Sequence, residues 1–198
     1  VFITFEGIDG AGKSTVIGSI ADWLRESGRD VLVTREPGGS IFGPKVREIL
    51  LEGDAITPKA EVFLFLADRT QHVDGTIKPF LESGGVVLCD RYADSTLVYQ
   101  GYGRGLDVEM LRQLNGIATG NLQPTVKILL DLDPDVAVTR STKGDRMDRE
   151  SLEFFTRIRN GFLKEHDLDP ERWVKVDANQ APDLVLNSVK ETLSSLLF

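Results

Sequence analysis

The chain has 198 residues, enough for one globular domain with at most a small insertion, and its 41% hydrophobic and 27% charged residues exclude a disordered chain. A net charge of −8 argues against a long nucleic acid as partner, because such partners need a broad basic surface. Cations that meet a small anionic substrate must then be gathered in one place.

A β-branched and aromatic run over residues 1–5 predicts a buried strand. Gly7-Ile8-Asp9-Gly10-Ala11-Gly12-Lys13-Ser14 follows at once and fits G-x-x-x-x-G-K-[ST]; an amphipathic helix is predicted from Lys13 to about Ser27, stopped by Gly28. Each part of that loop has a physical reason. Glycines let the backbone curl so that successive N–H groups face phosphate oxygens, and the helix behind adds its free N–H groups and positive dipole end. Lys13 would neutralise the β- and γ-phosphates of ATP, and the Ser14 hydroxyl would ligate Mg²⁺. Thr15 opens the helix beside them.

A second strand is predicted over residues 31–34, followed by Arg35-Glu36 and the breaker Pro37-Gly38-Gly39. Val46, Ile49 and Leu50 predict a short helix that carries Arg47 and ends near Gly53. Pro58 opens a long helical pattern running through Leu81, in which Phe65 and Arg69 share a face four residues apart. A ring there could stack on a base while the guanidinium reads its edge, although a helical Phe is more often core. Residues 86–89 predict a third strand that delivers Asp90 and Arg91 together, and Arg91 can grip a phosphate bidentately. Cys89 within it is expected to be an inert core thiol; as the single cysteine it permits no internal disulfide and suits a reducing cytoplasm. Ser95, Thr96, Tyr99 and Gln100 fall at helical spacings that can face one pocket. Strands are predicted over residues 128–132 and 173–176, with helices from Pro134 and from about Glu150. Between these helices, residues 140–149 carry four basic side chains in ten.

Strands alternating with helices imply a three-layer α/β/α fold around a five-stranded parallel sheet, in one domain over residues 1–198. Ligands of such sheets bind at the carboxyl ends of the strands, so chemistry belongs at Glu6 onward, Arg35-Glu36, Asp90-Arg91 and Asp131 to Asp133. No run of 18 apolar residues is present to span a membrane, and no charged-then-apolar leader opens the chain.

Phe5-Glu6-Gly7, Asp9 to Thr15, Arg35-Glu36-Pro37-Gly38-Gly39, Asp90-Arg91-Tyr92 and Tyr99-Gln100-Gly101 together resemble the bacterial thymidylate kinases, in order and spacing, over about three quarters of the chain. The resemblance implies a P-loop kinase that transfers the γ-phosphate of ATP to dTMP with Mg²⁺, in the cytoplasm and commonly as a homodimer, with no nucleic-acid polymer or membrane as partner. It implies that Arg47 and Arg91 bind the acceptor phosphate and that Phe65 stacks on thymine. Arg69, Thr96 and Gln100 would read the base edge, Tyr99 would pack on the deoxyribose, and Asp9 would accept from the sugar 3′-hydroxyl. Members often carry Ser at the Thr96 position. Ser14, Glu36 and Asp90 are the expected metal-side residues.

One type of thymidylate kinase places a catalytic arginine in the phosphate loop, the other in a lid over about residues 140–150. Ile8, Asp9, Gly10 and Ala11 include none, so the resemblance assigns it to the lid, at Arg146 by the Asp145-Arg146 motif, with Arg140 and Arg149 as alternatives. Two rival readings are a P-loop kinase of another nucleotide or deoxynucleoside, and an ATP-binding switch without transfer.

Overall fold

In the computed structural model, which describes residues 1–52, 56–140 and 151–197, five strands form one wholly parallel sheet in the order β2-β3-β1-β4-β5. These are β1 (Phe2–Glu6), β2 (Val31–Arg35), β3 (Val86–Asp90), β4 (Val126–Asp131) and β5 (Trp173–Asp177). The three central strands are almost wholly buried, while β2 and β5 at the edges are only partly so. Central strands covered on both faces therefore read as largely apolar runs. β4 begins at Val126, two residues before the predicted start, because the expectation followed the run Ile128–Leu130 and passed over Lys127. That lysine is buried against Asp94 at 3.0 Å, so a polar residue continues a buried strand.

The helices are α1 (Lys13–Glu26), α2 (Gly43–Leu51), α3 (Pro58–His72), α4 (Lys78–Glu82), α5 (Ala93–Thr96), α6 (Val108–Thr119), α7 (Pro134–Arg140), α8 (Leu152–Leu168) and α9 (Pro182–Leu197). The single long helix expected from Pro58 to Leu81 is α3 and α4 joined by a π-helical turn, Val73–Ile77. Pro79 has no N–H to return to the preceding turn, and a widened turn accommodates that gap without ending the helix. A second π-helical segment, Leu97–Gly103, continues α5. Thr57, Asp107 and Ser151 cap α3, α6 and α8 through their side-chain oxygens.

The registers Phe5↔Asp90 and Arg35↔Asp90 align the carboxyl ends of β1, β3 and β2 side by side. This brings the loop after β1, the loop after β2 and the turn after β3 to one edge of the sheet. The site lies there.

Candidate active site

The loop after β1 is shaped by its glycines. Gly7, Gly10 and Gly12 have φ of 130°, 82° and 86°, and a Cβ on Gly7 would stand 2.5 Å from the Leu130 carbonyl oxygen, so no other residue fits there. Lys13, at the start of α1, lies buried and folded over this loop, donating to the carbonyls of Gly7 (3.1 Å) and Ile8 (3.0 Å). Burial, then the charge of Arg91, pulls its pKa below the ordinary lysine value, against the pull of Asp90, Asp9 and Glu6. Ser14 is exposed and donates to Asp90 Oδ2 at 3.2 Å, while Asp90 Oδ1 is buried with no hydrogen-bond partner in the protein. Thr15 is exposed and its carbonyl accepts from Ser19.

Arg91 joins this loop to the neighbouring cleft. Its φ of 68° is left-handed, unusual for a residue with a Cβ, and its backbone N–H donates to the Phe5 carbonyl. The side chain donates to Gly7 O (2.9 Å), Ser95 Oγ (3.3 Å), Asp9 Oδ1 (2.7 Å) and Tyr99 Oη (2.9 Å), and its guanidinium stands over the Tyr99 ring. Tyr99 in turn donates to Asp9 Oδ2. Burial alone would raise the Asp9 pKa, yet Arg91 and then Lys13 overcome it and hold the carboxyl well below the usual range.

The cleft beside Arg91 is lined from several elements: Asp9 from the phosphate loop, Glu36, Pro37 and Arg47 around β2 and α2, Phe65 and Arg69 from α3, and Ser95, Thr96, Tyr99 and Gln100 beyond β3. Every acceptor-side residue singled out in the sequence therefore meets in one place. Phe65 is half-buried with its ring at the cleft, whereas Arg69 is 1% exposed. Four of the N–H bonds of Arg69 go to Glu36 Oε2 (2.6 Å), Thr96 Oγ1 (2.9 Å), Asn115 Oδ1 (2.6 Å) and the Tyr92 carbonyl (3.1 Å). A guanidinium has five, so at most one N–H is left for a ligand. Arg47 donates to the Pro37 carbonyl at 3.0 Å and reaches the cleft from the other side.

Glu36 is surrounded differently from Asp90. Its two oxygens are taken by Arg69 and by His72 Nδ1 (3.0 Å), and Thr34 Oγ1 lies 2.7 Å from His72 Nε2. Asp68 adds a second clamp on the same loop, accepting from the N–H groups of Gly38 (2.6 Å) and Ser40 (3.3 Å). A Cβ on Gly39 would fall 2.3 Å from His72 Nε2, which is why the breaker carries a glycine there.

Several residues here escaped the sequence reading. His72, Asp68, Asn115 and Glu61 look like ordinary helical polar positions, and only the four-residue spacing Glu61-Phe65-Arg69 signals a shared face. Glu6 is wholly buried, its two oxygens accepting from the Tyr92 N–H (2.9 Å) and Ser95 Oγ (2.6 Å); burial, and next the charge of Asp94, push it up to about 7. Asp131 and Asp133, candidates by their place after β4, both pair with Arg159 of α8. Cys89 is buried, and burial raises its thiol pKa well above the ordinary value. Arg140 closes α7 beside the phosphate loop, where a Cβ on Gly10 would lie 3.5 Å from its own Cβ. Arg146 and Arg149, with the rest of the expected lid, lie outside the described residues.

A profile of the family described as thymidylate kinase matches residues 5–189. The chain belongs to the thymidylate kinase family. A thymidylate kinase of Nitratidesulfovibrio vulgaris (strain DP4) is 49% identical over 209 residues, spanning 100% of this chain and 93% of that relative. One from Synechococcus sp. (strain JA-3-3Ab) is 49% identical over 182 residues, with 92% and 89% covered. The crystal structure of thymidylate kinase from Ehrlichia chaffeensis superposes with a TM-score of 0.82 at 34% identity, covering 98% of both chains. The activity is accordingly that of a thymidylate kinase, phosphoryl transfer to dTMP, with ATP the co-substrate of the family.

Proposed function

We propose that the transfer runs in line from ATP on the loop after β1 to dTMP in the cleft, with Mg²⁺ at Ser14 and Asp90 and no covalent intermediate. The observation that carries this is Arg91, which bridges the loop carbonyl of Gly7 and the cleft residues Asp9 and Tyr99. A cation at that joint can neutralise charge on the group in flight. The acceptor is already an anion and needs little deprotonation, so positioning and charge neutralisation supply the catalysis.

Lys13 turns from its own loop carbonyls to the ATP phosphates, while Gly7 to Thr15 surround them with backbone N–H groups and Arg140 stands alongside. Arg47 and Arg91 take the dTMP phosphate, Phe65 stacks on the base, Arg69 offers its remaining N–H, and Thr96 and Gln100 complete the edge. Asp9 and Tyr99 face the sugar. The orphaned, buried Asp90 Oδ1 beside the Ser14 hydroxyl suits a magnesium or its waters. Magnesium there would screen the phosphate charge of ATP. Glu36, with both oxygens committed, acts by holding Arg69. The described residues hold no cluster of three or more His, Cys, Asp or Glu side chains for a metal; a nucleotide-bound Mg²⁺ takes most of its ligands from phosphate and water.

Arg146 completes the transition state from the lid. Arg146→Ala is expected to lower kcat at least a hundredfold with dTMP affinity kept, as measured by steady-state kinetics; an unchanged kcat would move the role to Arg140 or Arg149. A homodimer is supported by α2 and α6, which both pack on α3 while Ile49, Phe63 and Ile117 remain exposed. The cytoplasm, where the nucleotides are and thiols stay reduced, is the proposed compartment, and none of the described helices is long and apolar enough to cross a membrane. ADP release measured over dTMP, dUMP, dCMP, AMP and thymidine tests the whole reading. Turnover is expected to be fastest with dTMP, ahead of dUMP by the worth of one methyl, roughly 1–3 kcal/mol. Faster turnover of any other acceptor would overturn it.

A further inference from the structure

A pyrimidine edge is read by hydrogen-bond polarity. Thymine carries N3–H beside the O4 acceptor, whereas cytosine carries a bare N3 beside an N4 amino group. A glutamine amide can serve either base, since turning it over exchanges its donor and acceptor ends. Gln100 lines the cleft and is otherwise buried, so what surrounds its far side decides which end faces a ligand.

That neighbour is Glu61. In the first turn of α3, it is buried to 1% exposure, and its Oε2 accepts from Gln100 Nε2 at 3.2 Å. Arg104 Nε stands 3.5 Å from the same oxygen. The reversed amide would set Gln100 Oε1 against a carboxylate oxygen, acceptor against acceptor, between two side chains that are each 1% exposed. Glu61 does not line the cleft, so it acts through Gln100.

We propose that Glu61 is a specificity-determining positioning residue, which fixes the Gln100 amide with Nε2 turned toward itself and so commits the cleft to bases bearing N3–H. This rests on Gln100 reading the base, as proposed above. In this sense Oε1 accepts from N3–H of thymine and the second Nε2 hydrogen can reach a ring carbonyl. Cytosine would need the opposite orientation, and the mismatch leaves buried polar groups unpaired, which is what makes such selection strong. Uracil has the same edge as thymine, so the device separates dTMP from dCMP and leaves dUMP to the methyl pocket.

The test compares kcat/KM for dTMP, dUMP and dCMP in the parent enzyme, Glu61→Gln and Gln100→Leu. Glu61→Gln keeps the shape but can donate as well as accept, which frees the amide to turn. The dTMP:dCMP ratio is expected to fall at least tenfold while the dTMP:dUMP ratio stays within twofold. Should Glu61→Gln fail to fold, the double variant Glu61→Met/Arg104→Met removes the buried carboxylate together with its half-buried guanidinium neighbour, and the same fall is expected. An unchanged dTMP:dCMP ratio in the Glu61 variant, with a collapsed ratio in Gln100→Leu, overturns the proposal for Glu61 alone. An unchanged ratio in Gln100→Leu overturns base reading at Gln100, and this proposal with it.

Discussion

The loop over residues 7–14 takes its shape from backbone torsions, whereas the cleft beside it takes its shape from buried charged side chains contributed by separate elements. In the loop, left-handed glycines and the close approach of Gly7 to β4 are local facts. In the cleft, Arg69 is held at once by Glu36, Thr96, Asn115 and the Tyr92 carbonyl, so its position depends on the loop after β2, α5, α6 and the turn after β3 together. A change in the loop should therefore act where it is made, and a change in the cleft should be felt across the fold.

The largest expected effect follows from that contrast. Arg69→Met leaves Glu36 buried with only His72 opposite it, and breaking one side of a buried pair costs about 3–5 kcal/mol. Urea unfolding measures it. A loss below about 1 kcal/mol would mean that the cleft wall is not held by this pair.

A smaller effect is expected where loop and cleft meet, at Glu6. Its pKa is raised from 4.5 to about 7, so the folded state binds the proton more tightly than the unfolded chain. The resulting contribution to stability is fully present below pH 4.5 and is lost as pH rises to 7. It amounts to about 3 kcal/mol across that window. Glu6→Gln cannot titrate, so its stability relative to the parent should climb by about that amount between pH 4.5 and 7, followed by thermal or urea unfolding. A difference that stays flat over this range would place Glu6 outside the titrating set.

The same contrast explains what the sequence made legible. Five parallel strands and the phosphate loop could be read because each strand has a mostly apolar or β-branched run and the loop is eight contiguous residues with fixed torsional needs. Arg91, Tyr99 and Gln100 could be named from motifs, Phe65, Arg69 and Thr96 from helical spacing and the family resemblance, and all line one cleft. The side chains behind them could not. Glu61, His72, Asp68 and Asn115 owe their places to packing between elements far apart in sequence, and a buried polar residue on a helix looks, residue by residue, like an exposed one. Lys127 shows the same limit inside a strand, where its partner Asp94 lies 33 residues away. The π-helical turn at Val73–Ile77 was hidden because the apolar periodicity runs on through it.

The most direct test is calorimetric titration of dTMP and of a non-hydrolysable ATP analogue into Phe65→Ala and Lys13→Ala. Stacking of a base on an aromatic ring is worth about 1–3 kcal/mol, so Phe65→Ala should weaken dTMP roughly tenfold or more and leave the ATP analogue within about twofold. Lys13→Ala should show the reverse pattern. Loss of both ligands in either folded variant, or unchanged dTMP binding in Phe65→Ala, would contradict the division of the site into a backbone-built donor loop and a side-chain-built acceptor cleft.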